Sequence, residues 1–436
     1  MGGGLLQLVA YGAQDAYITG NPHITFWKVL FKRHTNFAVE AFRVNFTGMP
    51  TYGQRVVAIV NRNADLIWKT YVEVTLPATD ASAAVSWTGG AQRRLGYLLL
   101  KQIEVEIGGQ IIDRHYGEWL YLWETLTANF DTAVKLDNMA GGLYSGAETS
   151  ATACQGRPDV LYVPLQFWFN RNPGLALPLI ALQYHEVRFN ITLEDTIHLV
   201  QAASPTGASL AAAAAALPAL KDMALYIDYV YLDVEERRRF AQASHEYLIE
   251  QLQFSGQQTI TTSSGRIDLT LNHPVKELIW VFQDARRTDC SLPDGTSLFT
   301  KPFTYDDIVN RARLQLNGQD RFDERYGDYF WKVQPYQHHT GGAFNRLIEQ
   351  TAVTPVSPNP INMYSFAISP EEHQPSGSCN FSRIDTATLV YDSKTGNPPV
   401  AGTFPSKNYP YNFRMYAVNY NIFRIMSGMG GLAYSN

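Results

Sequence analysis

Short runs of apolar and β-branched residues recur along the chain, separated by Gly, Pro and Asn, whereas long helical patterns are scarce. Repeated short strands with turn residues between them predict an all-β sandwich or barrel. Helical spacing is confined to residues 91–103 and 115–130, where we expect short helices, and the second places Trp119 and Trp123 on one face. The clearest predicted strands are residues 55–60, 66–76, 103–107, 186–193, 225–234 and 278–283.

The two halves of the chain carry a similar motif. Residues 105–119 are VEIGGQIIDRHYGEW, and residues 314–329 are LQLNGQDRFDERYGDY. Each copy has a strand, a Gly-Gln turn, a charged stretch and then Tyr-Gly-acidic-aromatic. A weaker pair, residues 163–174 and 364–377, runs from an apolar strand into a Pro-Gly loop. The spacing is too long for a solenoid repeat, so the pattern predicts a duplicated domain.

One compositional break separates the halves. Residues 202–220 are small and nearly uncharged, with Pro205 and Pro218 among them, which indicates a loop or short helix between domains. We therefore expect the following domains: an N-terminal arm over residues 1–26, a first sandwich over 27–205, an Ala/Pro-rich linker over 206–221, and a second sandwich with a C-terminal tail over 222–436.

Composition changes the picture in one respect. The 436 residues hold 35 basic and 40 acidic side chains, a net charge of -5, which argues against a protein that coats nucleic acid. Only 17% of residues are charged and 13% are aromatic. Low charge with many Tyr side chains is typical of a surface covered by neighbouring subunits. An ordinary β-rich fold with aromatic strands explains the same composition equally well.

The cysteines and termini indicate a chain that stays in a reducing compartment. Cys154, Cys290 and Cys379 are odd in number and far apart, so no disulfide framework is predicted. No apolar run approaches the length of a membrane span, and the first residues lack the basic region of a signal peptide. We expect a soluble, unexported protein.

The sequence offers no catalytic motif. The nucleophile elbow, the P-loop, the dinucleotide fingerprint and the helical zinc motif are all missing. His338 and His339 are adjacent, so on a strand they would point to opposite faces, and a metal site there is a weak hypothesis. We predict no catalytic, cofactor-binding or metal-binding residues. Asn-x-Ser/Thr sites occur at Asn45, Asn190 and Asn380, in or beside predicted strands, and we expect them to be unmodified by the secretory route.

Several segments resemble a known family. The opening LLQLVAYGAQDAYITGNPHITFWKVLFKRHTNFA resembles the N-terminal signature of the major capsid proteins of large icosahedral double-stranded DNA viruses, the nucleocytoplasmic large DNA viruses. The length and residue sequence of these segments are most similar to those of the algal-virus branch, the phycodnaviruses that include the chlorella viruses. Further matching segments are EVEIGGQIIDRHYGEW, NPGLALPLIALQYHEVRF, HEYLIEQLQF, LNGQDRF, KVQPYQ, QPSGSCNFSRIDTATL and NYNIFRIMSGMGGLAYSN.

The resemblance implies an all-β double jelly roll, two eight-stranded antiparallel sandwiches in tandem, with short helices in loops. It implies a structural role in which homotrimers form pseudo-hexagonal capsomers that tile an icosahedral shell. The implied partners are other copies of the chain, minor capsid and penton proteins, and an internal viral membrane nearby, with no direct nucleic acid contact. The implied location is the virion capsid, assembled in the host cytoplasm.

Two loop segments depart from the family pattern. Residues 283–306 and 391–412 resemble the variable outer loops that carry glycans in the algal branch, although no attachment site transfers onto them. Residues 1–26 and 419–436 are poor in strand periodicity and rich in Gly, Asn and Tyr. We expect both segments to be arms at the base of the capsomer, towards the membrane and minor proteins.

Two other functions are compatible with the residues alone. A jelly-roll hydrolase would need paired carboxylates across a cleft, for which the sequence has no motif. A carbohydrate-binding module could use the abundant Tyr and Trp side chains to stack on sugars. Composition and motifs by themselves favour a structural role over a binding role, and a binding role over catalysis.

Overall fold

The computed structural model describes residues 12–23, 26–27, 33–77, 85–87, 94–141, 160–202, 214–288, 303–341, 359–394 and 410–434. The chain forms two compact units, Met1–Phe37 and Ala38–Asn436. Within the first unit, Asp15 begins a short helix α1 (Asp15–Thr19), and its carboxylate accepts a 2.7 Å hydrogen bond from the Gly12 amide that precedes the helix. The arm predicted over residues 1–26 lies in this unit.

The first half of the chain folds into one sandwich. Its main sheet has the order β6-β5-β9-β2-β1-β11-β3-β7, with β8 beside β3, while β4 and β10 pair separately. Alternate side chains of β5, β9 and β2 meet those of β11 and β3 in one core, as expected for two apolar sheet faces packed together. The strands are β1 (Phe37–Thr47), β2 (Arg55–Ile59), β3 (Leu66–Thr75), β4 (Val85–Trp87), β5 (Leu100–Ile107), β6 (Gln110–Tyr116), β7 (Val160–Pro164), β8 (Leu177–Pro178), β9 (Val187–Leu193), β10 (Val200–Ala202) and β11 (Asp222–Leu232).

The second half forms another sandwich with its own core. One sheet has the order β12-β21-β14-β18, with β19 beside β14 and β22 beside β21, and the other has the order β13-β20-β15-β16, with β17 beside β15. The strands are β12 (His245–Ile260), β13 (Ser264–Asp268), β14 (Pro274–Asp284), β15 (Val309–Leu316), β16 (Gln319–Asp320), β17 (Arg325–Tyr326), β18 (Asn362–Ser365), β19 (Cys379–Asn380), β20 (Ala387–Ser393), β21 (Tyr411–Met426) and β22 (Met429–Leu432).

The two sandwiches have the same strand topology. The order β1-β11-β3-β7 in the first corresponds to β12-β21-β14-β18 in the second, and β2-β9-β5-β6 corresponds to β13-β20-β15-β16. The weaker sequence pair also follows β7 in one half and β18 in the other. The duplication predicted from the repeated motif is therefore confirmed by strand order, and each of the clearest predicted strands is a strand.

Short helices connect the strands, and none in the described part of the chain is long and apolar enough to cross a bilayer. The helices predicted within residues 91–103 and 115–130 are α2 (Leu95–Leu99) and α3 (Gly117–Thr127). A π-helical turn covers Tyr329–Val333, and 3₁₀ turns cover Pro173–Leu175, Ala285–Arg287 and Phe381–Arg383. After α1, the helices are α2 (Leu95–Leu99), α3 (Gly117–Thr127), α4 (Phe130–Ala140), α5 (Trp168–Arg171), α6 (Thr196–Leu199), α7 (Val234–Gln242) and α8 (Gln334–His338).

The sheets divide the chain at a different place from the predicted linker. Strand β11 was expected to open the second sandwich, but it pairs with β3 in the first, so the chain crosses between sandwiches at α7. In the predicted linker, residues 206–213 lie outside the described residues, while Leu217 and Leu220 are buried in the first core. Composition suggested a linker because poly-Ala carries no strand pattern, yet the described C-terminal part of the segment covers the first core.

The predicted C-terminal arm is also corrected. Residues 419–426 continue β21, which pairs with β12, and β22 folds back on it, so this segment is sheet rather than a free tail. Much of the two predicted outer loops, residues 289–302 and 395–409, lies outside the described residues.

Candidate functional site: the seam between the sandwiches

The turns of the repeated motif explain its Gly-Gln pair. Between β5 and β6, Gly108 and Gly109 have φ values of 59° and 83°, and between β15 and β16, Asn317 and Gly318 have φ values of 52° and 76°. Two consecutive residues with positive φ are typical of a type I′ hairpin, for which Asn and Gly are the favoured residues. The repeat in sequence is thus a repeat of backbone conformation.

The Tyr-Gly pair has a steric cause in both copies. A Cβ atom on Gly117 would lie 1.9 Å from the carbonyl oxygen of Tyr97, and one on Gly327 would lie 2.1 Å from the carbonyl oxygen of Val309. In each sandwich this glycine directly follows the motif strand and packs against the backbone of another segment. A side chain at this point would displace that backbone, so only glycine fits.

After the glycine, the first copy enters the second sandwich. Glu118 accepts two 2.6 Å hydrogen bonds from the Arg414 guanidinium, one of 2.6 Å from the Tyr416 hydroxyl and one of 3.1 Å from the Tyr305 hydroxyl. All three donors belong to the second half of the chain. We call this group, Glu118 with Arg414, Tyr416 and Tyr305, the clasp. It fixes the start of α3 on β21.

Water is nearly excluded from the clasp, which strengthens the electrostatic attraction between its charged groups. The side chains of Glu118 and Arg414 are 14% and 9% exposed. Burial opposes the charge on Arg414, but the Glu118 carboxylate more than offsets this, so the pKa of Arg414 lies above its usual value. Burial, together with the same carboxylate, holds the pKa of Tyr416 and Tyr305 well above the usual tyrosine value. A bidentate Arg–carboxylate pair in such a setting is strongly oriented.

Aromatic contacts extend the seam, by which we mean the contact of β6 and α3 with the outer face of the sheet β12-β21-β14-β18 and its adjoining loops. Tyr116 lies 4.9 Å from Phe254 between ring centroids, and Trp119 lies 5.7 Å from Tyr416. Further along α3, the ring of Tyr121 stacks on Phe303 with 4.7 Å between the ring centroids. The buried apolar side chains of the first sandwich and the facing side of the second form one continuous core.

A second charged group crosses the seam at α5. Glu250 on β12 accepts 2.7 Å contacts from Arg171 of the first sandwich and from Lys276, which is fully buried. Burial lowers the pKa of Lys276. Burial acts against ionised Glu250, but the two cations hold its pKa below the usual value. The group leaves each buried charge with an opposite partner, as buried ions require.

His339 joins the far end of α3 to the second sandwich. Its ring nitrogens lie 3.0 Å from Glu277 and 2.9 Å from Glu371. Burial opposes protonation, yet the two carboxylates raise the pKa of His339 to about 9. The next residue, Thr340, donates a 2.9 Å hydrogen bond to the Thr127 carbonyl at the end of α3.

The adjacent histidines do not share a ligand. His338 contacts the Ile368 carbonyl at 3.0 Å, whereas His339 is held between two carboxylates. The described residues hold no group of three or more His, Cys, Asp or Glu side chains arranged for a metal ion. Cys154 and Cys290 lie outside the described residues, and Cys379 is a half-buried free thiol.

The three Asn-x-Ser/Thr sites differ in exposure. Asn190 is 3% exposed and donates a 2.8 Å hydrogen bond to Glu106, so a glycan cannot reach it in the folded chain. Asn45 and Asn380 are exposed on β1 and β19. Their predicted lack of modification stays a prediction.

Sequence reasoning named the motif but missed the function of its acidic residue. The repeat pointed to position 118, since both copies have an acid after Tyr-Gly. Nothing in the sequence pairs it with Arg414, which lies 296 residues away. The same holds for Glu250, which has Arg171 of the first sandwich and Lys276 of the second as partners, and for His339, which the folding of the second sandwich brings to Glu277 and Glu371.

Two family comparisons divide the chain where the sheets do. Residues 25–233 match the family described as major capsid protein N-terminus, and residues 236–431 match the family described as large eukaryotic DNA virus major capsid protein. Among curated proteins, the major capsid protein of Pyramimonas orientalis virus is 47% identical, and that of Paramecium bursaria Chlorella virus 1 is 42% identical. Each alignment covers 100% of both chains.

Solved structures agree. The chain is similar to PBCV-1 VP54, in a crystal structure fitted into a reconstruction of the virophage Sputnik, with a TM-score of 0.75 and 36% identity over 94% of this chain and 100% of that one. The Faustovirus major capsid protein has a TM-score of 0.69 at 13% identity, over 95% and 94% of the two chains, which supports the fold alone. The predicted all-β double jelly roll is confirmed.

Proposed function

The chain belongs to the family of large eukaryotic DNA virus major capsid proteins, and from this premise we propose that three copies form a pseudo-hexagonal capsomer that tiles an icosahedral shell. As a member of this family it is a structural component of the virion capsid and not an enzyme. The capsomer, its tiling and its surroundings are the proposed part.

The observation that carries the proposal is the clasped seam between two sandwiches of equal topology. Three chains supply six sandwiches, and a contact that recurs around an axis closes into a ring when its rotation divides the circle. A building block of this kind must hold its two halves at a fixed angle. The buried clasp and the continuous core of the seam supply that rigidity.

The surroundings of the capsomer follow from the family. We propose that its edges contact minor capsid and penton proteins, that an internal viral membrane lies beneath it, and that assembly takes place in the host cytoplasm. Nucleic acid is not an expected partner, because the net charge of -5 gives no basic surface excess for phosphate groups.

Mass in solution tests the proposal. Light scattering after gel filtration should find a species of about 147 kDa, three times the chain mass of 48.9 kDa. Cryo-electron microscopy of assembled shells would then show whether that species is the capsomer. A species that stays at the mass of one chain across salt and pH would overturn the self-assembling trimer.

A further inference from the structure

The seam shows which surface of one sandwich fits which surface of the other. The first sandwich contributes the edge made by β6 and α3, and the second contributes the outer face of the sheet β12-β21-β14-β18, where Ile279 of β14 and Met363 of β18 join the core of the first sandwich. Along β21, Arg414 and Tyr416 face the seam, while the intervening Met415 lies in the second core. Because the sandwiches have the same topology, each also has a counterpart of the surface that the other uses.

The counterpart of the motif edge lies on the second sandwich and is open. Tyr326, at the position of Tyr116, is 63% exposed, and Asp328, at the position of Glu118, has a side chain 47% exposed. Val333 and Tyr336, which follow on the π-helical turn and α8, are 39% and 87% exposed. We call these four residues, Tyr326, Asp328, Val333 and Tyr336, the open edge.

The counterpart of that sheet face is the outer face of β1-β11-β3-β7 on the first sandwich. On β11 and β3, Tyr226 and Tyr71 stack at 5.2 Å between ring centroids, and Tyr162 on β7 packs against Tyr71 at 6.1 Å. These rings alternate with core residues, so they point away from the core. Tyr162 is 37% exposed, and Lys69 on β3 is exposed beside them. We call Tyr71, Tyr162, Tyr226 and Lys69 the tyrosine face.

We propose that the open edge of one copy binds the tyrosine face of the next copy, repeating between chains the contact that the seam makes within a chain. The inference rests on the proposed trimer and adds the two surfaces that form it. The contact is heterologous, because the two surfaces differ, and alternating it with the seam places six sandwiches around one axis and closes after three copies.

The chemistry of the two surfaces matches that of the seam. In the seam, Tyr116 packs on aromatic rings of β12 and β21, and Glu118 accepts from an arginine and tyrosine hydroxyls. Between copies, Tyr326 packs on the tyrosine face, and Asp328 accepts from Lys69 or the tyrosine hydroxyls. Lysine is a point charge without the bidentate geometry of arginine, so this contact is the weaker of the two. It can form between chains that have already folded.

Cysteine pairs test the assignment. Tyr226→Cys and Tyr326→Cys chains, purified separately and mixed under conditions that allow exchange, are treated with a short bis-maleimide. The proposal expects a covalent dimer in the mixture and none with either variant alone, and covalent trimers when one chain carries both changes. The unsubstituted chain, with its three natural cysteines, measures the background.

The outcomes separate the surfaces from the trimer. A trimer mass with no cross-link in the mixture, or with cross-links between like variants only, overturns the assigned surfaces and leaves the trimer standing. A chain that never exceeds its monomer mass overturns both.

Substitutions give a second measurement. Tyr226→Asp and Tyr326→Asp should each lower the trimer association constant at least tenfold while circular dichroism stays unchanged. Tyr184→Asp is the matched control, since Tyr184 is 75% exposed and lies on neither surface. Equal trimer formation by all three variants would contradict the proposal.

Discussion

The segment Tyr116-Gly117-Glu118 is buried beneath the second sandwich, whereas its copy, Tyr326-Gly327-Asp328, lies at the surface of the chain. Both have the same hairpin and the same glycine pressed against backbone. The acid in the first copy has four hydrogen bonds across the seam, while Asp328 contacts Lys332 at 2.5 Å and Lys394 at 3.6 Å. The two copies thus share the same backbone constraints. The role of the acidic side chain in each copy depends on whether another part of the protein covers it.

The charged pairs beside the motif also differ between the copies in burial, with a nearly buried carboxylate in the first copy only. In the first copy, Arg114 on β6 pairs with Glu104 on β5 at 2.8 Å, and Glu104 is nearly buried. In the second, the signs are reversed, with Arg311 on β15 and Glu324 before β17 at 3.4 Å, and both are well exposed. An exposed pair of either orientation contributes little, so the second copy tolerates the reversal.

Alanine at the motif glycines should have the largest effect and should not distinguish the copies. Gly117→Ala and Gly327→Ala each place a Cβ within about 2 Å of a carbonyl oxygen, so we expect a loss of more than about 4 kcal/mol or failure to fold. Soluble yield and the thermal unfolding midpoint measure it. Gly109→Asn and Gly318→Asn are the controls, because their Cβ positions are open and Asn tolerates positive φ. A stable, soluble Gly327→Ala chain would show that the second copy lacks the steric requirement.

Neutralising the acid of each copy should separate the copies. Glu118→Gln leaves Arg414 buried without its counter-charge, so the free energy of unfolding should fall by about 3–5 kcal/mol. Asp328→Asn removes only exposed ion pairs, for which we expect about 0–1 kcal/mol in the unassembled chain. Denaturant titration of both variants at one low chain concentration measures the difference. Equal losses would mean that burial does not set the role of the acid.

A smaller effect than that of Glu118→Gln is expected at His339, where the helical segments that follow the two copies meet. Its pKa is about 9 in the folded chain against 6.5 for an ordinary histidine, so its stabilisation is complete below about pH 6.5 and is lost as pH rises through 9. The largest contribution is about 3 kcal/mol. His339→Gln should remove this part of the pH dependence of unfolding, measured as the difference from the unsubstituted chain between pH 6 and 10.

The neighbouring residue provides the control for that measurement. His338→Gln leaves the contacts of His339 with Glu277 and Glu371 in place, so this variant should keep the pH dependence that His339→Gln removes. If the free energy of unfolding of His339→Gln changed with pH in parallel with that of the unsubstituted chain, the buried carboxylates would not be holding the histidine in its charged form.

Local features of the fold were accessible from the sequence because they depend on neighbouring residues. Alternating or continuous apolar runs predicted strands such as β3 and β14, and the helical spacing of Trp119 and Trp123 predicted α3. The paired Gly-Gln and Tyr-Gly positions predicted a duplicated domain, since turn geometry and close backbone contact restrict the residue at each place. Resemblance to a viral capsid family then supplied the arrangement of the two sandwiches.

Only the tertiary structure decided which residues meet across the seam. Strand β11 has the same pattern in either sandwich, and its pairing with β3 rather than with the second sheet depends on contacts distant in sequence. The acids at positions 118 and 328 are nearly interchangeable as local sequence, yet packing buries one against Arg414 and leaves the other exposed. The sequence determined the elements and their repetition through short-range sterics and apolar spacing, while the burial that assigns each charge its partner arises only when the two sandwiches pack.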